Sequence, residues 1–425
     1  MTATLGRSIL RDPAFGRLWF IQASTQVGGN MSLYALTILV FATTRSNAAV
    51  SALVLSFLVP TILLSAPAGV LVDRLDVRWA MIVPNAIRTA LTFGLAVAGT
   101  NVAMLLLLNL GISLTSVILT PAEASMIPRI VPKPQLETAM GIFNLTLQGS
   151  FVVGFAFLGP LVVAVAGPSL VLVVVTVFYA AATVTTLFLP AAPPVARDPS
   201  AGRRSFREPV DQLREGLAAI TGDRELSRPL ILLAAATSLV GVIGVLGANL
   251  ALSIGLDPNN LIVVVLPMGL GVVAGVVGLT RMGDRVPRRR AGEGGLLAFG
   301  FLALAIASVG PIAIATSIPL IPMVIVLAFA AGAAYATTIV SAQTALFENM
   351  PAGVRGRVFG VLASVVSAAS LVPILVAGPL ADAISGPTVI AIAAIGVLIV
   401  AGWSATLFGP RVSPVDQGDP ELPAR

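Results

Sequence analysis

The residues able to do chemistry are few and unevenly placed. Asp73-Arg74 with Arg78 is echoed by Asp284-Arg285 with Arg288, the Asp-Arg pairs standing 211 residues apart (73 to 284, 74 to 285). A carboxylate beside a helix N-terminus or an arginine gains roughly 0.3–2 kcal/mol, and a contact present in one of two conformers shifts their balance by that amount. On spacing alone, a solvated charged hairpin is the simpler reading. Arg88 stands near the middle of a long apolar run, where a charge costs at least about 2.5–3.5 kcal/mol unless paired or hydrated. Asn85 and Thr92 flank it at helical spacing, so hydrogen bonds to them, to backbone carbonyls, or snorkelling are the expected structural role; gating or attraction of an anionic group is the functional one. No carboxylate lies near the middle of an apolar run: Glu123, Glu293 and Glu348 fall toward one end, Asp257 and Asp382 toward the other. A proton carrier is usually a desolvated carboxylate, so the proton-coupling candidates are Asp73, Glu123 and Asp382, in that order.

Absences narrow the chemistry further. The chain has no cysteine and no histidine, which removes disulfides, Cys/His metal sites and Ser-His-Asp or Cys-His nucleophiles. Lys133 is the single lysine and sits between prolines, so no Walker A phosphate cradle is present. No metal, no cofactor and no enzymatic activity are expected.

The elements that must position these residues are membrane spans. Of 425 residues 57% are hydrophobic and 10% charged, far from the balance of soluble domains. Twelve apolar stretches long enough to cross about 30 Å of hydrocarbon lie near 15–41, 48–71, 79–99, 102–122, 138–166, 168–190, 229–255, 260–280, 293–315, 317–346, 355–384 and 386–409. With the N-terminus inside, 23 of the 25 basic residues fall on one side, Arg45 and Arg88 excepted. That bias marks the cytoplasmic face, so the net charge of +6 is a topology signal and no nucleic-acid partner is implied. Both termini are expected in the cytoplasm, with span 1 a retained signal anchor and the protein multi-pass in the inner or plasma membrane.

The chain divides into 1–190, a linker 191–228, 229–410 and a tail 411–425. Phe206, Val210, Leu213, Leu217 and Ile220 recur at helical spacing within the linker, which predicts an amphipathic interfacial helix. Pro132 and Gly141 are matched by Pro351 and Gly360, each 219 residues on. Two related six-helix bundles follow, an all-α architecture with its substrate site near the midplane between them. Gly271 and Gly275 form a G-x-x-x-G suited to close packing, and Pro60, Pro84, Pro267 and Pro373 mark kinks.

Gly69-Val-Leu-Val-Asp-Arg-Leu-Asp-Val-Arg78 resembles the signature loop between helices 2 and 3 of the major facilitator superfamily, with Asp76 where the family usually has a second glycine. Asp12 to Trp19 with Gln22 and Gln26, Pro121 to Pro132, and Arg355 to Phe359 resemble the drug:proton antiporter branch that includes macrolide, multidrug and enterobactin exporters. Gly154, Gly159 and Pro160 resemble part of that branch's helix 5 motif. The resemblance implies a monomeric secondary transporter that exports lipophilic or amphiphilic small molecules against protons by alternating access. A dedicated siderophore or metabolite exporter, or a facilitator or uptake carrier without proton coupling, is the alternative. It further implies a cytoplasmic gate latched by Gly69, Asp73, Arg74 and Arg78 and, in the second half, Asp284, Arg285 and Arg288. Helices 1, 4, 7 and 10 would line the cavity, with 2, 5, 8 and 11 contributing. Their interior polar residues are therefore the cavity candidates: Gln22, Gln26, Asn30, Asn109, Ser113, Asn144, Gln148, Asn249, Tyr335, Thr337, Thr338 and Gln343.

Overall fold

The computed structural model describes residues 9, 11–72, 74–191, 224–283, 286–310, 312, 319–349 and 355–407. Asp73, Asp284, Arg285, the amphipathic part of the linker and the tail lie outside the described residues. The first half contains α1 (Pro13–Thr44), α2 (Asn47–Val72), α3 (Val77–Val97), α4 (Val102–Ile130), α5 (Leu136–Phe151), a π-helical turn (Val152–Leu158) and α6 (Gly159–Thr186). The second contains α7 (Arg224–Ser253), α8 (Ile262–Met282), α9 (Arg288–Ala307), α10 (Leu320–Asn349), α11 (Arg355–Ala383) and α12 (Gly386–Leu407). Helix α7 thus begins five residues before the expected start of span 7 at 229.

Residues 133–186 run as one apolar helical stretch of 54 residues, more than twice a membrane thickness. Gly167 divides it. Its backbone (φ 80°, ψ 171°) is open to glycine and strained for L side chains, and Pro168 behind it cannot continue the ladder of the preceding turn. The chain folds back there: Gly154 and Gly159 climb along residues 27 to 34 of α1, and Tyr179 returns to Gly28. Phe188 then reaches Arg17. With that fold-back the described residues make twelve spans in two six-helix bundles.

Large apolar side chains such as Leu63, Leu107, Leu145, Val165, Val326 and Ile399 stay exposed, as suits helices surrounded by lipid. Since lipid is as apolar as leucine, helix association relies on close packing. The α8–α10 contact shows this. A methyl group on Gly271 would run into the Phe329 carbonyl, one on Gly275 into the Ala333 backbone, and one on Gly332 into the Met268 carbonyl. Gly332→Ala is therefore expected to destabilise the second bundle by about 1–3 kcal/mol, measurable as a lower melting temperature in detergent.

At the end carrying most basic residues, Arg17 Nη1 donates to the Phe188 carbonyl at 3.0 Å and Arg78 Nη2 to the Leu187 carbonyl. Both cations close the C-terminal end of α6, where the helix dipole favours positive charge. Arg17→Gln with Arg78→Gln should cost about 1 kcal/mol, again read from thermal unfolding. In the second bundle Arg228 of α7 and Arg289 of α9 share Glu293.

The two bundles meet at the opposite end. Ser51 Oγ of α2 donates to the Ile374 carbonyl of α11 at 2.8 Å, and Gly378 of α11 lies against Asn47 and Ser51. The π turn packs on α8, where Gly269 faces Ala156. Each of these contacts lies near the start of α2 or α8, or toward the end of α11, so the bundles close away from the basic end.

Candidate functional site

On the basic side of that closure, a cavity of about 420 Å³ lies among α1, α2, α3, α4 and α6. This is within the range of small-molecule sites, about 300–1,000 Å³. Its apolar wall includes Leu33, Phe57, Ile112, Val117 and Leu119. Its polar wall includes Thr25, Gln26, Asn30, Thr61, Asn109 and Thr120. Arg88 is the charged residue among those lining it.

Arg88 finds a partner other than the ones expected from its neighbours in sequence. It is buried, with 5% of its surface exposed. Its partner is neither Asn85 nor Thr92 but Tyr179 of α6, whose hydroxyl accepts from Nη2 at 2.7 Å. The guanidinium carbon also lies 4.1 Å from the Tyr179 ring centroid, a cation–π contact that offsets part of the desolvation. Arg88 Nε, both amide atoms of Asn85 and the Thr92 hydroxyl have no hydrogen-bond partner. Tyr179 was missed by sequence reasoning. It lies in a valine-rich stretch of α6, 91 residues from Arg88, and no local pattern signals the pair.

Glu123 also differs from expectation, being buried beside the cavity with 1% exposed. Thr25 of the cavity wall places its hydroxyl 3.4 Å from Glu123 Oε1 and 3.1 Å from the Gln22 carbonyl. The Arg88 charge acts on Glu123 electrostatically. Among the described residues, no carboxylate is within ion-pair distance of Arg88, so Arg88 and Glu123 share one interior without a direct salt bridge.

Asp382 takes a different place, across the closure. At the last turn of α11, its own helix dipole disfavours its charge. Its carboxylate instead sits on the N-terminus of α2 in the other bundle, accepting from the Asn47 backbone N–H (2.7 Å), Asn47 Nδ2 (2.8 Å), the Ala48 N–H (3.0 Å) and the Ser46 hydroxyl (2.7 Å). It acts as an N-cap supplied by the opposite bundle.

The profile of the Major Facilitator Superfamily matches residues 18–372. The chain belongs to the Major Facilitator Superfamily. It is a multi-pass membrane transporter. No curated protein matches this sequence. Among solved structures, a point mutant of the nucleoside transporter NupG is similar at a TM-score of 0.72 and 16% identity, covering 93% of this chain and 100% of that one. A POT family transporter in complex with 5-aminolevulinic acid is similar at 0.68 and 13%, covering 94% and 96%. A bacterial homologue of the human lysosomal transporter Spinster, inward-facing and unoccupied, is similar at 0.65 and 15%, covering 92% and 96%. At these identities the likeness is one of fold.

Within this superfamily member, the candidates from sequence scatter. Gln26, Asn30 and Asn109 line the cavity; Asn109 Nδ2 donates to Ser56 Oγ at 2.9 Å. Ser113 is buried and donates to the Phe57 carbonyl. Gln22 is buried and donates to the Phe143 carbonyl at 3.0 Å, with Oε1 unpartnered. Asn144 and Gln148 lie on α5, away from that cavity. Asn249 packs against Gly386, and Thr337 and Thr338 donate back to their own helix. Tyr335 borders a small apolar pocket among α5, the π turn, α7, α8 and α10. Gln343 is half-buried on α10.

The gate-loop residues divide likewise. Gly69 lies in the last turn of α2 with open space around it, Arg74 is exposed, Arg288 opens α9, and Arg78 serves α6 as described. Asp76 carries no strain (φ −64°, ψ 119°): it caps α3, accepting from the Arg78 N–H at 2.9 Å, so the missing family glycine leaves this turn intact. Of the helix 5 motif, a side chain on Gly154 would strike Val27 and Asn30 of α1, and one on Gly159 would press on Tyr34. Pro160 follows the π turn, in which the Gly159 N–H reaches back to Gly154. The missing N–H of a proline and the bulk of its ring favour such a widened turn.

Proposed function

We propose that this transporter is a proton-coupled exporter of lipophilic or amphiphilic small molecules, working by alternating access as a monomer. The observation that carries the reading is the cavity of about 420 Å³ beside the buried carboxylate of Glu123. A largely apolar wall with scattered neutral polar groups suits amphiphilic cargo, and a buried carboxylate reached through Thr25 suits a proton that loads and leaves during the cycle. The arginine bias makes the basic end cytoplasmic, so the closure by α2 and α11 is the outer gate and the cavity lies on its inner side. In this reading Asp73, Arg74, Asp284 and Arg285 belong to the inner gate. One proton at about 150 mV supplies roughly 3.5 kcal/mol, enough for a gradient of several hundredfold on a neutral cargo.

One observation favours a carrier without proton coupling: Glu123 stands behind Thr25 and is not among the residues lining the cavity. Proteoliposomes with an imposed pH gradient and a panel of lipophilic dyes and antibiotics distinguish the two. Gradient-dependent movement of several unrelated compounds, slowed by Asp73→Asn in a protein that still folds, is the expected result. Movement indifferent to the gradient would support the facilitator. No movement at all from folded protein would replace the multidrug reading with export of one dedicated metabolite.

A further inference from the structure

The cavity wall combines one buried cation with a largely apolar enclosure, and that combination selects a class of cargo. Arg88 lies at the centre of its span, more than nine-tenths buried, and has five N–H donors. Tyr179 accepts one of them, its ring covers the guanidinium, and Nε has no partner. Among the described residues no carboxylate pairs with it, and the other residues lining the cavity are uncharged. Opposite it, α1 presents Gly29 with no side chain: a Cβ there would lie 3.8 Å from Arg88 Nη2 and 3.4 Å from the Tyr179 hydroxyl. Gly29 and Arg88 both line the cavity, so α1 places no side chain between the guanidinium and the space beside it. A desolvated, incompletely paired charge strongly favours a counter-ion, and a planar guanidinium matches the oxygens of a carboxylate, sulfonate or phosphate.

We propose that the cavity takes amphiphilic organic anions, the anionic head seated on Arg88 and the apolar body lying along Phe57, Ile112, Val117 and Leu119. This rests on the reading of the cavity as the substrate site. It narrows the cargo from lipophilic compounds in general to those with an acidic head. Tyr179 holds the guanidinium in place, and Asn109, on the same wall, is a neutral contact whose loss should weaken all cargo alike. Such an anion is also pushed outward by an inside-negative membrane potential, so its export is driven even when no proton moves.

The test is equilibrium binding to the full-length protein in phosphatidylcholine nanodiscs at neutral pH. The probes are 2-naphthoate, 2-naphthalenesulfonate, 2-naphthamide and 2-(aminomethyl)naphthalene, matched in body and differing in head. The expected result is that both anions bind at least tenfold more tightly than the amide and the amine. Arg88→Gln should abolish the preference while leaving amide binding in place. Arg88→Lys, which keeps the charge should the glutamine variant fail to fold, should retain part of the preference. Equal or better binding of the amide or amine, lost in Asn109→Ala, would overturn the anion proposal and leave the cavity as the substrate site. Binding unaffected by both Arg88→Gln and Asn109→Ala, or no binding at all, would overturn both. Displacement of the anionic probes by phosphatidylglycerol in the disc would assign the seat to a lipid head group, overturning a free solute as its occupant.

Discussion

A valine at Gly378 is expected to hold open the end of the transporter opposite the basic residues, the outer end in the proposed orientation. Gly378 faces Asn47 and Ser51 of the other bundle so closely that a single Cβ would overlap the Asn47 carbonyl and the Ser51 hydroxyl. Overpacking of this kind costs about 1–3 kcal/mol, and it also displaces the Ser51 hydrogen bond to Ile374. Because the clash arises only where the bundles touch, it penalises the closed state and spares each bundle's own packing. The closed-to-open ratio should therefore fall by a factor of about ten to a hundred. Asp382→Ala removes the cap that α11 lends to α2. It should move the ratio in the same direction more weakly, by about 1 kcal/mol, because the carboxylate is exposed and solvent replaces part of what it gives. The chain has no cysteine, so labels at Thr43→Cys and Ile384→Cys report the outer separation without background. Longer distances by double electron–electron resonance in Gly378→Val are the expected result. An unchanged distribution in a stable protein would show that this contact does not set the outer gate.

Glu123→Gln is expected to abolish accumulation driven by a pH gradient while leaving exchange intact. The glutamine has the same shape, its carbonyl can still accept from Thr25, and it is neutral throughout the cycle, so the fold should tolerate it. What it cannot do is take up and release a proton. In proteoliposomes with the membrane potential clamped at zero, the steady-state ratio of cargo across the membrane should fall from the several hundredfold that one proton can sustain to about one, with counterflow of labelled against unlabelled cargo persisting. Full gradient-driven accumulation in Glu123→Gln would remove Glu123 from the coupling and leave Asp73 as the next carboxylate to substitute.

The reach of sequence reasoning differs from residue to residue. The break at Gly167 was legible as the boundary between the fifth and sixth apolar stretches, but Gly-Pro alone does not end a helix, since Gly378-Pro379 lies inside α11. The close packing at Gly271 and Gly275 was legible because a missing side chain is a property of the residue itself. Arg88 was visible as a charge out of place. Its partner was not, since hydrogen bonding between α3 and α6 depends on how two helices are rotated against each other. Glu123 was read as terminal from its position in the chain, yet the packing of α4 against the wall built by α1 buries it beside the cavity.

By itself, then, the sequence determined the twelve spans, their pairing into two bundles and the side on which the positive charges gather. These depend on hydrophobicity, length and charge, which are summed along the chain and need no knowledge of neighbours. Tertiary structure alone decided that Arg88 looks into a cavity with Tyr179 at its back, and that Asp382 caps a helix in the opposite bundle. It also decided which of the many polar side chains share one space. Those are relations between segments up to 336 residues apart, and in a membrane they are set by which small residues let which helices approach, a choice made by the packed bundle as a whole.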